Sequence, residues 1–201
     1  MNKVDRNKVD KPICLVEKAE KWTVDFIEKR KTKPKYWNWH QYKNRKVEHI
    51  LTETLTIVFD KRCAYCEIRP LVKGGGKPSI DHFKPKSVYK KMAFEWTNLF
   101  LACYQCQEYK GSKYPDIEPL KPDTLEYDFD YWFEINWETY EIRSNPLRDI
   151  AEQARATETI KWLGLNRDNR PVIRGEELEK YESANRCNID MYSYKFLLER
   201  I

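Results

Sequence analysis

Cys63-Ala64-Tyr65-Cys66, Ile80-Asp81-His82-Phe83-Lys84-Pro85-Lys86, Trp96-Thr97-Asn98-Leu99 and Cys103-Tyr104-Gln105-Cys106-Gln107-Glu108-Tyr109-Lys110 follow one another in a 201-residue chain, and their order decides its fold. In a C-x-x-C pair the backbone turns so that two thiolates approach one metal. Two such pairs complete a tetrahedral, coordinatively closed set with metal–sulfur distances of ~2.3 Å. Cys63 with Cys66, and Cys103 with Cys106, are separated by 36 residues and predict a structural zinc site. The bland alternative is four buried cysteines that merely lie close. A redox motif would need only one pair, beside a βαβ unit. Cys14 and Cys187 have no partner at ligand spacing. Because a closed zinc site leaves no position for substrate, any chemistry belongs to the residues clamped between the pairs.

Within the clamp, 71–79 reads as a loop through Gly74-Gly75-Gly76 and Pro78. Ser79–Phe83 reads as a short strand halted by Pro85, Trp96–Ala102 as a second, and Tyr104–Lys113 as a turn and helix. Outward from this core, Ile13, Val16, Ala19, Val24 and Ile27 predict a helix over 13–30. A Lys/Pro break and Tyr36-Trp37-Asn38-Trp39 follow, then a helix from Val47 through Ile50, Leu51, Leu55 and Val58. His40 and His49 fall on these predicted helices as ordinary residues. Beyond the core, Pro115, Pro119 and Pro122 mark a linker. Residues 131–135 and 139–142 predict a hairpin turning at Asn136–Glu138. Helices are expected over 147–163, stopped by Gly164, and over roughly 175–199. The expected class is α+β: a helical segment 1–60, a core 61–115, and a segment 116–201 of linker, hairpin and helices, forming one compact unit.

Charged residues make up 34% of the chain and aromatics 14%, which excludes wholesale disorder. No apolar run is long enough for a transmembrane helix, and residues 1–6 lack a signal-peptide pattern, so a cytoplasmic location without membrane partners is expected. The formal net charge is +5, unevenly spread. Residues 1–50 hold 14 basic against 7 acidic side chains, 61–91 hold 9 against 2, and 116–158 hold 4 against 12. The basic stretches suit a polyanion once they surround a site. The acidic stretch does not, and Trp132, Phe133 and Trp137 there would suit either a protein interface or packing on the helices.

Phosphodiester hydrolysis needs a base for water, a divalent ion for the charge that develops, and cations for the backbone. His82 has the titration range of a base, and Asp81 offers a hard oxygen ligand. The succession C-x-x-C, D-H-x-x-P, N-L and C-x-x-C-x-x-x-K, over residues 63–115, resembles the zinc-containing HNH (ββα-metal) endonucleases. That resemblance implies a ββα-metal fold with His82 as base, Asp81 as ligand to Mg²⁺ or Mn²⁺, and Asn98 bracing the loop between the strands. The residue after the fourth cysteine is usually Asn or His. Here it is Gln107, which offers the same amide oxygen one methylene further out, with Glu108 as a possible helper. The flanks, including Thr159-Ile160-Lys161-Trp162-Leu163-Gly164-Leu165-Asn166-Arg167, resemble the HNH component of Septu antiphage-defence systems, including the version beside retrons. This implies an ABC/SMC-like ATPase partner.

Lys84, Lys86, Lys90 and Lys91, with Lys110 and Lys113, are the expected phosphate contacts, positioning DNA without reading its sequence. Tyr104 and Tyr109 could stack on bases or pack around the zinc. Competing readings are an RNase and a zinc-stabilised nucleic-acid- or protein-binding module that has lost catalysis.

Overall fold

A computed structural model describes residues 1–71 and 78–201, so the expected Gly74-Gly75-Gly76 loop lies outside the described residues. Helix α1 (Ile13–Thr32) opens the fold. A small ribbon of β1 (Gln41–Tyr42) and β2 (Arg45–Lys46) leads into α2 (Val47–Val58). The central hairpin pairs β3 (Ser79–His82) antiparallel with β4 (Leu99–Ala102), Ser79 opposite Ala102 and His82 opposite Leu99. Helix α3 (Tyr104–Lys110) follows directly, completing a strand–strand–helix unit. Then come α4 (Phe129–Trp132), β5 (Phe133–Ile135) paired with β6 (Ile142–Ser144), α5 (Ile150–Trp162), α6 (Arg170–Ser183) and α7 (Lys195–Leu198). The class is mixed α+β, with three two-stranded sheets among the described residues. Among the described residues no helix is long and apolar enough to cross a membrane.

The core is built on the central hairpin. All four residues of β4 are buried, and α2 presents Val47, Leu51, Leu55 and Val58 to the interior. Phe100 of β4 meets Tyr65, Phe83 and Phe59 at centroid distances of 5.7, 5.6 and 5.6 Å. Phe83 in turn stands edge-on to Trp162 of α5 at 5.3 Å, which ties the hairpin to the C-terminal half.

Several expectations need correction. The buried stripe of α1 is Cys14, Leu15, Ala19, Trp22 and Phe26, whereas Ile13, Val16 and Val24 are more than half exposed. Trp22 and Phe26 bury far more area than Val does, so they set the helix rotation. His40 lies before β1 rather than on a helix, stacked on Trp22 at 5.1 Å with an interplanar angle of 4°; His49 is on α2, exposed. Trp96–Asn98 form a single helical turn, so the second strand starts only at Leu99. The expected linker is packed: Leu120 and Tyr127 are each 1% exposed. In the second hairpin Asn136 Oδ1 accepts from the amides of Glu138 and Thr139, and Tyr140 has φ 57, so the return strand is 142–144. Trp132 and Phe133 are buried, leaving Trp137 as the exposed aromatic. Helix α5 starts at Ile150 because Asp149 and Glu152 form a reciprocal capping box. The expected helix over 175–199 is instead α6, a turn at Ile189–Met191, and α7. Asn185, Arg186 and Asn188 adopt positive φ between them, which no helix continues through.

Candidate active site

The two knuckles converge from opposite ends of the core. Asp60 and Lys61, at φ 49 and 56, turn the chain out of α2 into Cys63, and the end of β4 delivers Cys103. The four sulfur atoms of Cys63, Cys66, Cys103 and Cys106 lie within 4.8 Å of one another, all buried. Cys66 and Cys103 Sγ are 3.7 Å apart, against ~3.8 Å for the edge of a tetrahedron with bonds of ~2.3 Å. The Cys103 amide donates to Cys63 Sγ at 3.4 Å, and Arg170 Nη1 to Cys106 Sγ at 3.3 Å. Burial pushes the Cys63 and Cys106 thiols well above their ordinary range, so four thiolates in this volume require a cation. The donor set fits zinc, and the chain can hold one ion here.

Beside this cluster, β3 carries Asp81 and His82 into the interior. The Asp81 carboxylate accepts from the Tyr65 hydroxyl at 2.7 Å and from Lys110 Nζ at 3.3 Å. Tyr65 sits inside the first knuckle, and Lys110 also donates to the His82 carbonyl at 2.7 Å. Burial raises the Asp81 carboxyl above its ordinary range despite Lys110 and Tyr65, which pull it down. Sequence reasoning missed both partners. The signal for Lys110 was present, since Cys106 and Lys110 stand one helical turn apart on one face of α3.

His82 Nε2 lies 2.9 Å from the Ala93 carbonyl oxygen. A carbonyl only accepts, so Nε2 carries the proton and Nδ1 keeps its lone pair. Trp37 stands edge-on to the imidazole at 5.0 Å, and Trp39 lies nearly parallel at 6.0 Å. Burial, with Lys86 and Lys110 nearby, lowers the His82 pKa to about 3. The ring is therefore neutral at pH 7.

Asn98 ties together both ends of the segment between the strands. Its amide nitrogen donates to the Lys84 and Met92 carbonyls, each at 3.0 Å, and its oxygen accepts from the Lys84 amide at 2.7 Å. Gln107 donates to Ser79 Oγ and, at 3.3 Å, to the Ala102 carbonyl. Its amide oxygen takes no hydrogen bond from the described residues.

A cleft of about 480 Å³ opens over these groups, lined by Asp81, His82, Gln107, Lys86 and Lys110, and from the N-terminal segment by Arg30, Lys35 and Trp37. The structure thus gathers Asp81, His82, Gln107, Lys86 and Lys110. Lys84 instead pairs with Glu118 at 2.8 Å, and Lys113 does not line the cleft. Lys110 is 4% exposed, an internal ion-pair partner rather than a surface cation. Tyr104 is exposed, and Tyr109 packs between Gly164 and the guanidinium groups of Arg167 and Arg170. Glu108 belongs to no metal-ligand cluster among the described residues and does not line the cleft. A larger cavity of about 650 Å³, where residues 2–8 meet the C-terminal turn, has lining of mixed charge and contains neither Asp81 nor His82.

No family model matches the chain. Over 67 residues, 33% of its length, it is 31% identical to the Septu protein PtuB of Bacillus thuringiensis. The chain spans about a quarter, 26%, of the length of that curated relative. In this part, the chain is similar to a Septu protein.

Proposed function

We propose that the chain is a metal-dependent HNH-type endonuclease that hydrolyses DNA phosphodiester bonds, the effector of an antiphage-defence complex with an ABC/SMC-like ATPase partner. One observation carries this reading. A neutral histidine, fixed by the Ala93 carbonyl with Nδ1 as its acceptor, stands next to a buried carboxylate on the floor of a basic cleft. The likeness to a Septu protein supports the defence setting.

The residues also suit a hard divalent ion. Asp81 and the Gln107 amide oxygen are both oxygen donors, few in number, and Mg²⁺ keeps most of its waters in such sites. Bound there, Mg²⁺ or Mn²⁺ would supply charge stabilisation for the phosphate and the leaving oxygen. His82 Nδ1 accepts a proton from water, whose oxygen attacks phosphorus while the bond to the leaving oxygen breaks. An anionic phosphodiester in the cleft favours the imidazolium that forms. Asn98 keeps the segment carrying Lys84 to Ala93 closed, and with it the carbonyl that orients the base. Lys86 holds the phosphate.

A second reading, a zinc-stabilised binding module without catalysis, is favoured by the Lys110 ammonium already paired with Asp81. One assay separates them. Supercoiled plasmid is incubated with the protein and Mg²⁺ or Mn²⁺ at low salt, beside His82→Ala and an EDTA control. Nicking that needs both the ion and His82 is the expected result. Full nicking by His82→Ala would remove the proposed base. If neither protein nicks, even with the ATPase present, while both bind DNA equally, the binding module stands.

A further inference from the structure

The N-terminal helix was expected to flank the core, yet its end forms one wall of the cleft. Arg30, at the last turn of α1, and Lys35 and Trp37, just beyond it, line the same space as Asp81 and His82. Lys86, Ser87, Gly111 and Ser112 line it as well. Trp37 is packed on Phe94 at 5.3 Å with an interplanar angle of 22°, and the Lys86 ammonium stands over its ring at 4.7 Å. That ammonium sits on a flexible stem and can be displaced by a flat ring.

The size and depth of the cleft select what enters. His82 is 4% exposed and Asp81 9%, so the scissile phosphate must descend to the floor. The cleft holds about 480 Å³, far less than the body of a B-form duplex, whose major groove alone is ~12 Å wide and ~8.5 Å deep. A duplex body does not fit, but one strand drawn out of a duplex, or already single, does. Positive charge on the walls with an aromatic platform is the combination by which proteins hold single strands without reading sequence. Burial pulls the Lys86 pKa down against the opposing pull of Asp81, and Lys110 and Arg30 add to the lowering. An anion beside Lys86 and Arg30 relieves their mutual repulsion.

We propose that this cleft receives a single polynucleotide strand, its backbone on Arg30, Lys35 and Lys86 and one base stacked on Trp37. The proposal rests on the nuclease reading of the same site and names its substrate form. Sugar identity is open to both classes of strand, because the contacts are to phosphate and to a base face.

The test is fluorescence anisotropy with the full zinc-loaded chain and no added Mg²⁺ or Mn²⁺, so that nothing is cut. Labelled deoxy and ribo single strands of 20 nucleotides are compared with the 20-base-pair duplex over a range of salt. At least one single strand should bind about 10-fold more tightly than the duplex. Trp37→Leu should lose about 10-fold for the strand and little for the duplex. Lys35→Glu should lower the slope of log K on log salt by about one or more. Because Trp37 packs on Phe94 and His82, Trp37→Phe and the exposed Lys35→Glu keep the test independent of folding. Equal or tighter binding of the duplex, or wild-type strand binding by Trp37→Leu and Lys35→Glu alike, overturns the proposal. The plasmid assay reads the nuclease separately, so a duplex-binding chain that still nicks through His82 loses only the single-strand inference.

Discussion

Asp81 and His82 are neighbours on β3, and the fold pushes their protonation in opposite directions. An unfolded His titrates near 6.5, and folded His82 near 3. Between those values the unfolded chain binds a proton that the folded chain refuses. His82 therefore contributes stability that is complete above pH 6.5 and is lost as pH falls towards 3. Asp81, raised by burial, works the other way and gives back part of that loss in acid. At about 1.4 kcal/mol per unit, the His82 contribution is on the order of 3 kcal/mol between pH 7 and pH 4. The thermal midpoint should fall over that range, and His82→Gln should flatten the fall; an unchanged slope in the variant would place the proton uptake elsewhere. Tyr65 acts through Asp81 instead. Its hydroxyl is one of two donors holding that carboxylate, and such partners are worth ~10–100-fold in metal affinity. Tyr65→Phe should raise the Mn²⁺ concentration for half-maximal cleavage about 10-fold at unchanged zinc content. A variant with the wild-type Mn²⁺ dependence would show that the hydroxyl only packs.

Elements differ in how plainly the sequence wrote them. The knuckles, the strand holding Asp81-His82 and the helix after Cys103 were legible, because metal spacing and local periodicity are properties of short stretches. The Trp37 and Trp39 indoles against His82, Tyr65 on Asp81, and Arg170 on Cys106 were not legible, since each joins residues distant in sequence or on different elements. The α1 stripe was misread because counting apolar residues ignores that Trp22 and Phe26 outweigh three valine-sized side chains. Gly164 shows local signal and tertiary contact agreeing. It ends α5 at φ +60, where other residues are strained, and a Cβ there would come within 2.6 Å of the Tyr109 ring carbon Cγ. The strain of ~1–2 kcal/mol and the overpacking of ~1–3 kcal/mol act together. Gly164→Ala should thus lower stability by at least ~2 kcal/mol in urea unfolding. A loss near ~1 kcal/mol, the backbone strain alone, would mean that Tyr109 shifts freely, and its packing under Arg167 and Arg170 argues against that.

Across the whole molecule, both ends of the chain are fastened to the knuckles. Arg62, one residue before Cys63, donates to the carbonyls of Tyr192 and, at 3.0 Å, Asp190. Glu67, one residue after Cys66, accepts from the amides of Asn2 and, at 2.8 Å, Phe196. Arg170 on α6 reaches Cys106, and Arg174 one turn later is 1% exposed, bonded to the carbonyls of Tyr140 and Leu165 at 2.7 Å each. A zinc ion in the four-cysteine cluster would therefore brace the helical C-terminal half as well as the central hairpin. Arg170 is the hinge of that argument: its guanidinium is the one side-chain cation that donates to a cluster sulfur among the described residues. Removing it leaves Cys106 with its charge but without its donor, so Arg170→Met should speed zinc transfer to a chromophoric chelator about 10-fold. Chelation of the wild type should then lower a single unfolding transition seen identically by tryptophan fluorescence and far-ultraviolet circular dichroism. Two separated transitions would instead mean that the C-terminal half folds without the knuckles. In that case the contacts at Arg62, Glu67 and Arg170 would join two independently stable parts rather than make one cooperative unit.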